Sequence, residues 1–290
     1  MFEGAYTAIV TPFDAQGRVD YGRFRALVER QIAAGIDGIV PVGTTGESAT
    51  LDYEEHGKVI EAAIAAARGR VKIIAGTGAN STAEAVRLTR HAIEAGADGT
   101  LQVTPYYNRP NQDGLIRHFT AVADLGLPVV LYNVPSRTGR EIAVETVVAL
   151  AAHPKIVALK EAGGSMDRVS SIVGACDITV VSGDDSLTLP MLAIGARGVI
   201  SVSSNVIPAE VTRMVHAALD ERWAEARALH RKYYRLTTDL FVDANPIPVK
   251  AALAMMGQIE EVYRLPLCPM SESLRHKLAA SLRQVGLLSA

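Results

Sequence analysis

Lys160 closes the apolar run Ile156-Val157-Ala158-Leu159, which puts an amine at the end of what reads as an interior strand. An amine with an ordinary pKa near 10.4 is neutral in only about one molecule in 2500 at pH 7, and only the neutral form attacks a carbonyl. Apolar surroundings lower that pKa by penalising the charged form, so a lysine at an oily strand end is a candidate for imine formation with a small 2-oxo acid. A plainer role is open on the same residues, with the ammonium snorkelling to the rim or pairing with Glu161. Imine chemistry also needs proton traffic, because a carbinolamine must shed water and the substrate carbon must lose a proton. Thr44, Tyr107 and Tyr132 are hydroxyls that can donate and accept at once. Tyrosines of this kind otherwise cap a core, ring inside and oxygen wet. For a carboxylate, the amides of Gly43-Thr44-Thr45-Gly46 can turn inward, and Arg137 can either clasp it in bidentate fashion or form a surface ion pair. The loop has no GxxxxGK[ST] pattern and so is no nucleotide cradle.

The elements that must position these groups are legible as repeats. Eight β-rich runs, at 7–10, 39–43, 72–76, 100–104, 129–132, 156–160, 178–182 and 199–202, leave room for one helix and two short loops between neighbours. Most are apolar on consecutive positions, as a parallel strand covered on both faces requires. Asp20 has the placing of a helix N-cap, Asp52 with Glu55 and Ser81 with Glu84 have the three-residue spacing of a capping box, and Gly35, Gly69 and Gly96 follow the corresponding ends. The tetrapeptides Gly35-Ile36-Asp37-Gly38, Gly96-Ala97-Asp98-Gly99 and Gly195-Ala196-Arg197-Gly198 each end a helix and launch a strand. After about residue 205 only helical patterns remain, at 210–219, 223–236, 249–256 and 271–285. The fold class predicted is α/β, a (β/α)8 TIM barrel over residues 1–224 with a small helical domain over 225–290. In such barrels the carboxyl ends of the strands carry the chemistry, and the candidate residues all follow strands there.

Composition narrows the partners. Lys and Arg number 29 against 31 Asp and Glu, a formal charge of -2, so nothing favours nucleic acid or an anionic membrane. No apolar run approaches the roughly 20 residues a spanning helix needs. Cys176 and Cys268 form no CxxC pair and the 7 histidines no HExxH pair, so neither a disulfide framework nor a metal is expected, and a reducing cytoplasm fits.

Together these pieces resemble the dihydrodipicolinate synthase members of the pyruvate-dependent class I aldolase superfamily, which includes N-acetylneuraminate lyase. The likeness runs nearly end to end, through AIVTPF at 8–13, VGTTGESATL at 42–51, AGTGAN at 75–80, VTPYYNRP at 103–110, YNVPSRTG at 132–139, LKEA at 159–162, SGDD at 182–185, GVISV at 198–202 and NPIPVK at 245–250. It implies Lys160 as the Schiff-base lysine, with Tyr132, Thr44 and Tyr107 as a proton relay in which Tyr107 serves a neighbouring subunit. Thr45, Gly183 and Ile200 match positions around the bound 2-oxo acid, and Arg137 matches the arginine that organises carboxylate binding. The implied reaction joins pyruvate to L-aspartate 4-semialdehyde, on the way to lysine and diaminopimelate, in a homotetramer built as a dimer of dimers and without external cofactor. Sialic-acid lyases resemble YxIPxxxG without that arginine, so Thr44-Thr45 and Arg137 separate the synthase from a sugar-acid aldolase or dehydratase. A barrel that only binds a small acid would have no chemical need for this lysine and its hydroxyls. A barrel enzyme for phosphorylated sugars would instead bind phosphate near Gly183 and Gly198. Ser48, Ala49, His56, Asn80, Glu84 and Tyr106 match the site at which inhibited relatives bind lysine, whereas Tyr53 stands where those relatives commonly have histidine.

Overall fold

The structure, a computed structural model, describes residues 1–289. Eight strands form it: β1 (Gly4–Ala8), β2 (Gly38–Val40), β3 (Lys72–Gly76), β4 (Gly99–Val103), β5 (Val129–Asn133), β6 (Ile156–Glu161), β7 (Thr179–Ser182) and β8 (Gly198–Ser201). Each pairs in parallel with the next, and β8 returns to β1, so the sheet is a closed TIM barrel. Between strands lie α1 (Tyr21–Ala33), α2 (Tyr53–Ala67), α3 (Thr82–Ala95), α4 (Gln112–Ala123), α5 (Pro135–Thr138), α6 (Val144–Ala151), α7 (Met166–Ala175) and α8 (Thr188–Ala193). After β8 come α9 (Pro208–Leu219), α10 (Trp223–Asp239), α11 (Ile247–Met255) and α12 (Glu272–Gln284). The helices at the C-terminal end pack on one another, and α10 also lies against α9.

Alternation along the strands sorts residues into two layers. Val130 and Tyr132 of β5, Ala158 of β6, Val181 of β7 and Ile200 of β8 pack together inside the barrel. Leu131, Leu159 and Val180 face out and bury against Leu115, Phe119 and Val147 of the surrounding helices. Lys160 shares the parity of Ala158 and so belongs to the inner layer.

Two strands depart from the sequence reading by more than one residue at an end. β1 begins at Gly4 rather than Thr7, because Gly4 pairs with Gly198 and the two backbones touch: a Cβ on Gly198 would lie 2.2 Å from the Gly4 carbonyl oxygen. β2 ends at Val40 rather than Gly43, since Pro41 has no amide to donate and Val42 turns to φ 50°. The helix punctuation follows the residues. Asp20 accepts from the Arg23 amide, and Asp52 with Glu55 forms a complete capping box. Ser81 accepts from the Glu84 amide at 3.5 Å, but Glu84 does not return the bond, so its carboxylate is free for other work. In the repeated tetrapeptides, Asp37 accepts from the Ala5 amide at 2.7 Å and Asp98 from the Ile73 amide at 2.9 Å, each caping the start of the preceding strand. In the third copy Arg197 instead pairs with Glu3 at 2.8 Å. No helix among the described residues is long and apolar enough to cross a membrane.

Candidate active site

The carboxyl end of the barrel opens into a cavity of about 360 Å³ whose wall includes Thr44, Thr45, Tyr132, Arg137, Lys160 and Gly183. Lys160 is only 5% exposed. Its Nζ lies 4.2 Å from the centroid of the Tyr132 ring. Burial lowers its pKa to about 8; Asp185 pulls the other way and Arg137 adds to the lowering. The neighbouring Glu161 does not pair with it. Being one residue further along the strand, Glu161 points outward, accepts from Asn133 Nδ2 at 2.8 Å and meets Arg168 at 3.0 Å. The plainer reading of Lys160 as half of a local ion pair therefore fails on strand geometry, and the amine is left inside an apolar barrel end.

The groups facing it differ in how they are held. Tyr132 is buried, which raises its pKa, while Arg137 and the hydroxyl of Thr44 act to lower it. Thr44 and Thr45 lie on a short 3-10 turn, and Thr45 accepts from Asn245 Nδ2 at 2.9 Å. Arg137, on the single turn α5, donates to the Asn245 carbonyl at 3.1 Å. Gly183 follows β7 where no side chain fits: a Cβ would stand 2.9 Å from both Lys160 Cε and Ala162 Cβ. Asp185, buried beneath, accepts from the amides of Val202 at 2.8 Å and Ser203 at 3.2 Å, and burial raises its pKa.

Two predicted residues sit elsewhere. Ile200 is buried in the barrel's inner layer with Tyr6, Ala158 and Val181, and it is not on the cavity wall. Tyr107 is 91% exposed at φ 71° and lies outside the cavity of its own chain. Reasoning from the sequence assigned no role to Asn245 or to the buried pair of Glu47 and Lys250, whose Oε1 and Nζ are 2.5 Å apart. The VGTTGESATL and NPIPVK motifs contain all three, but the partners lie about two hundred positions apart.

A second cavity of about 380 Å³ opens nearby between α2 and α3 and is lined by Ser48, Ala49, Tyr53, His56, Glu84 and Tyr106. Asn80 stands beside it, its Nδ2 3.3 Å from the Tyr106 carbonyl. Burial lowers His56 to about 4, so it is neutral at pH 7, and Arg87 lies 4.0 Å above the Tyr53 ring. Thr44, Val134 and Arg137 form walls of both cavities.

The profile of the dihydrodipicolinate synthetase family matches residues 1–285. The 4-hydroxy-tetrahydrodipicolinate synthase of Syntrophus aciditrophicus is 53% identical over 291 residues, covering 99% of this chain and all of the relative. Among solved structures, dihydrodipicolinate synthase from Acinetobacter baumannii in complex with pyruvate has a TM-score of 0.98 and 44% identity, over 99% of this chain and 100% of that one. The enzyme from Cyanidioschyzon merolae with lysine bound has a TM-score of 0.96 and 43% identity, over 99% of each chain. Matched in this way from end to end, in fold as well as in sequence, the chain belongs to the dihydrodipicolinate synthetase family.

Proposed function

We propose that this protein joins pyruvate, held as an imine on Lys160, to L-aspartate 4-semialdehyde and so makes 4-hydroxy-tetrahydrodipicolinate for lysine and diaminopimelate synthesis. The observation that carries the reading is the Lys160 amine, desolvated to a pKa of about 8 in a closed barrel end with the Tyr132 ring 4.2 Å away. The neutral amine adds to the pyruvate ketone, and the carbinolamine loses water with protons passed by Tyr132 and Thr44. A C3 proton then leaves to give the enamine. That carbon bonds to the aldehyde carbon of the second substrate, whose oxygen takes up a proton. The substrate's own amino group finally attacks the imine carbon, closing the ring and freeing Lys160. Thr45 and Gly183 shape the pocket around the 2-oxo acid, Ile200 backs it from the core, and Arg137 receives the second carboxylate.

Tyr107 completes the relay in trans. Its side chain is exposed on its own subunit, which supports action across an interface; the assembly we propose is a homotetramer arranged as a dimer of dimers. Residues 1–224 and 225–290 serve as barrel and helical extension of one unit acting in the cytoplasm. The cavity with Ser48, Ala49, Tyr53, His56, Asn80, Glu84 and Tyr106 around it fits L-lysine, with the uncapped Glu84 carboxylate as partner for an ammonium. Titration of the activity with L-lysine tests this, and a rate unchanged up to millimolar ligand would dismiss it.

The deciding experiment is borohydride reduction with pyruvate followed by peptide mass spectrometry, together with a coupled assay comparing L-aspartate 4-semialdehyde, sialic acid and sugar acids. Reduction should label Lys160, and turnover should require the semialdehyde. An adduct at another residue, or preferred use of a sugar acid, would overturn the reading.

A further inference from the structure

The loop that carries Thr44 and Thr45 is bracketed by two non-glycine residues in the left-handed region, Val42 at φ 50° and Glu47 at φ 55°. For a β-branched valine this is an outlier, and such backbone persists only where its surroundings over-determine it. Those surroundings are supplied largely by the chain that follows α10. Glu47 meets Lys250 of α11 at 2.5 Å, with both side chains wholly buried. The Lys250 ammonium also lies 4.2 Å from the Phe13 ring centroid. Thr45 is held by Asn245, and the Gly46 carbonyl accepts from Thr11 Oγ1 at 2.7 Å. Just beyond the loop, Arg264 donates to the Thr50 carbonyl at 2.9 Å and meets both oxygens of Glu55 at 2.6 Å.

Neither Glu47 nor Lys250 lines the cavity, so the pair touches no substrate there. Nor does stability account for it. Desolvating two charges is costly, and apolar side chains of similar volume commonly serve a core as well or better. What an ion pair adds is direction: one short bond fixes where the Glu47 side chain, and with it the left-handed turn, must sit.

We propose that Glu47 and Lys250 are positioning residues, whose buried pair locks loop 43–47 to the C-terminal extension and thereby aims the Thr44 and Thr45 hydroxyls into the cavity. The catalytic consequence rests on Lys160 being the imine-forming amine; the lock itself does not.

The test replaces both partners with apolar residues of similar volume, Glu47→Leu together with Lys250→Met, which leaves no unpaired buried charge. The melting temperature should be retained or raised. Amide hydrogen exchange at positions 46–48 should nonetheless quicken by roughly tenfold or more, since the lock that suppresses local opening is gone. Trapping of pyruvate by borohydride should slow by roughly tenfold or more, as expected when a catalytic group is misplaced. A purely structural pair would lower the melting temperature and leave trapping by the folded protein unchanged. Glu47→Asp provides a second variant that keeps the charges but shortens the reach, and the same two readouts should shift in the same direction. Either variant, folded and with wild-type exchange at 46–48 and wild-type trapping, would overturn the proposal. If the wild-type protein itself failed to trap pyruvate, the catalytic reading would fall, while the exchange data would still decide whether the lock exists.

Discussion

At the scale of single residues the protein sets stability against reactivity at one amine. Burial brings Lys160 from 10.5 to about 8, so about one molecule in ten carries the neutral amine at pH 7. Trapping of pyruvate should therefore rise roughly tenfold from pH 6 to 7, about fivefold from pH 7 to 8, and flatten above; a profile flat between pH 6 and 9, at fixed pyruvate, would contradict the desolvated amine. The same shift carries a stability cost with a definite sign. The unfolded chain holds the proton up to about pH 10.5 and the folded one only to about pH 8, so folding opposes protonation below pH 8 and the penalty fades between these values. Lys160→Met should thus stabilise the fold at pH 7 by about 3 kcal/mol, with the gain vanishing above pH 10.5, as urea melts at several pH values would reveal. Gly183 defends the same amine by absence of bulk. Gly183→Ala places a methyl 2.9 Å from Lys160 Cε, and trapping should slow by roughly two orders of magnitude while the protein remains folded.

At the scale of elements, β6 separates two neighbouring charges by its pleat. Lys160 goes in and Glu161 goes out, where Asn133, Arg168 and the Gly163 amide receive it. Arg168→Met should lower stability by about 3 kcal/mol, the low end for breaking a buried ion pair because the amide donors to Glu161 remain. Trapping at Lys160 in the folded variant should be nearly unchanged, and a lost adduct would mean that the two faces of β6 are coupled. The strand itself was readable from its apolar run, but its parity was not, because Ile156-Val157-Ala158-Leu159 is apolar on consecutive positions, and nothing local says that Arg168 of α7 folds back onto Glu161. The rest of the site follows the same division. Thr44, Tyr132, Arg137, Lys160 and Gly183 were legible because each lies beside a strand end marked by its own residues. Asn245 and Lys250 were not, because their work depends on α11 lying against a loop two hundred positions earlier. Local propensity also misplaced β1 and β2: a strand that starts on glycine and another that stops at proline are weakest where pattern is sought.

At the scale of the whole molecule, one hydroxyl expected in the relay lies outside the cavity of its own chain. Tyr107 lies nine-tenths exposed at a left-handed backbone position, outside the cavity it was expected to serve. A large side chain held out in that way costs apolar exposure and backbone strain with no return within its own subunit. Entry into a partner's site would supply the return. Tyr107→Phe alone should slow turnover much more than it weakens pyruvate binding, but that result would not tell which subunit the hydroxyl serves. Mixing does. Lys160→Ala lacks the amine and Tyr107→Phe the hydroxyl, so each homo-oligomer should be nearly inactive. When the two chains are co-refolded in equal amounts, half of all sites carry Lys160 and half of those face an intact Tyr107 from the neighbour. Activity should then recover to about a quarter of the wild-type rate if the tyrosine acts across a closed, symmetric interface. If it acts within its own chain, no mixed site is complete and the rate should stay at the mean of the two parents, which would refute the assignment in trans whatever mass the particle shows in sedimentation.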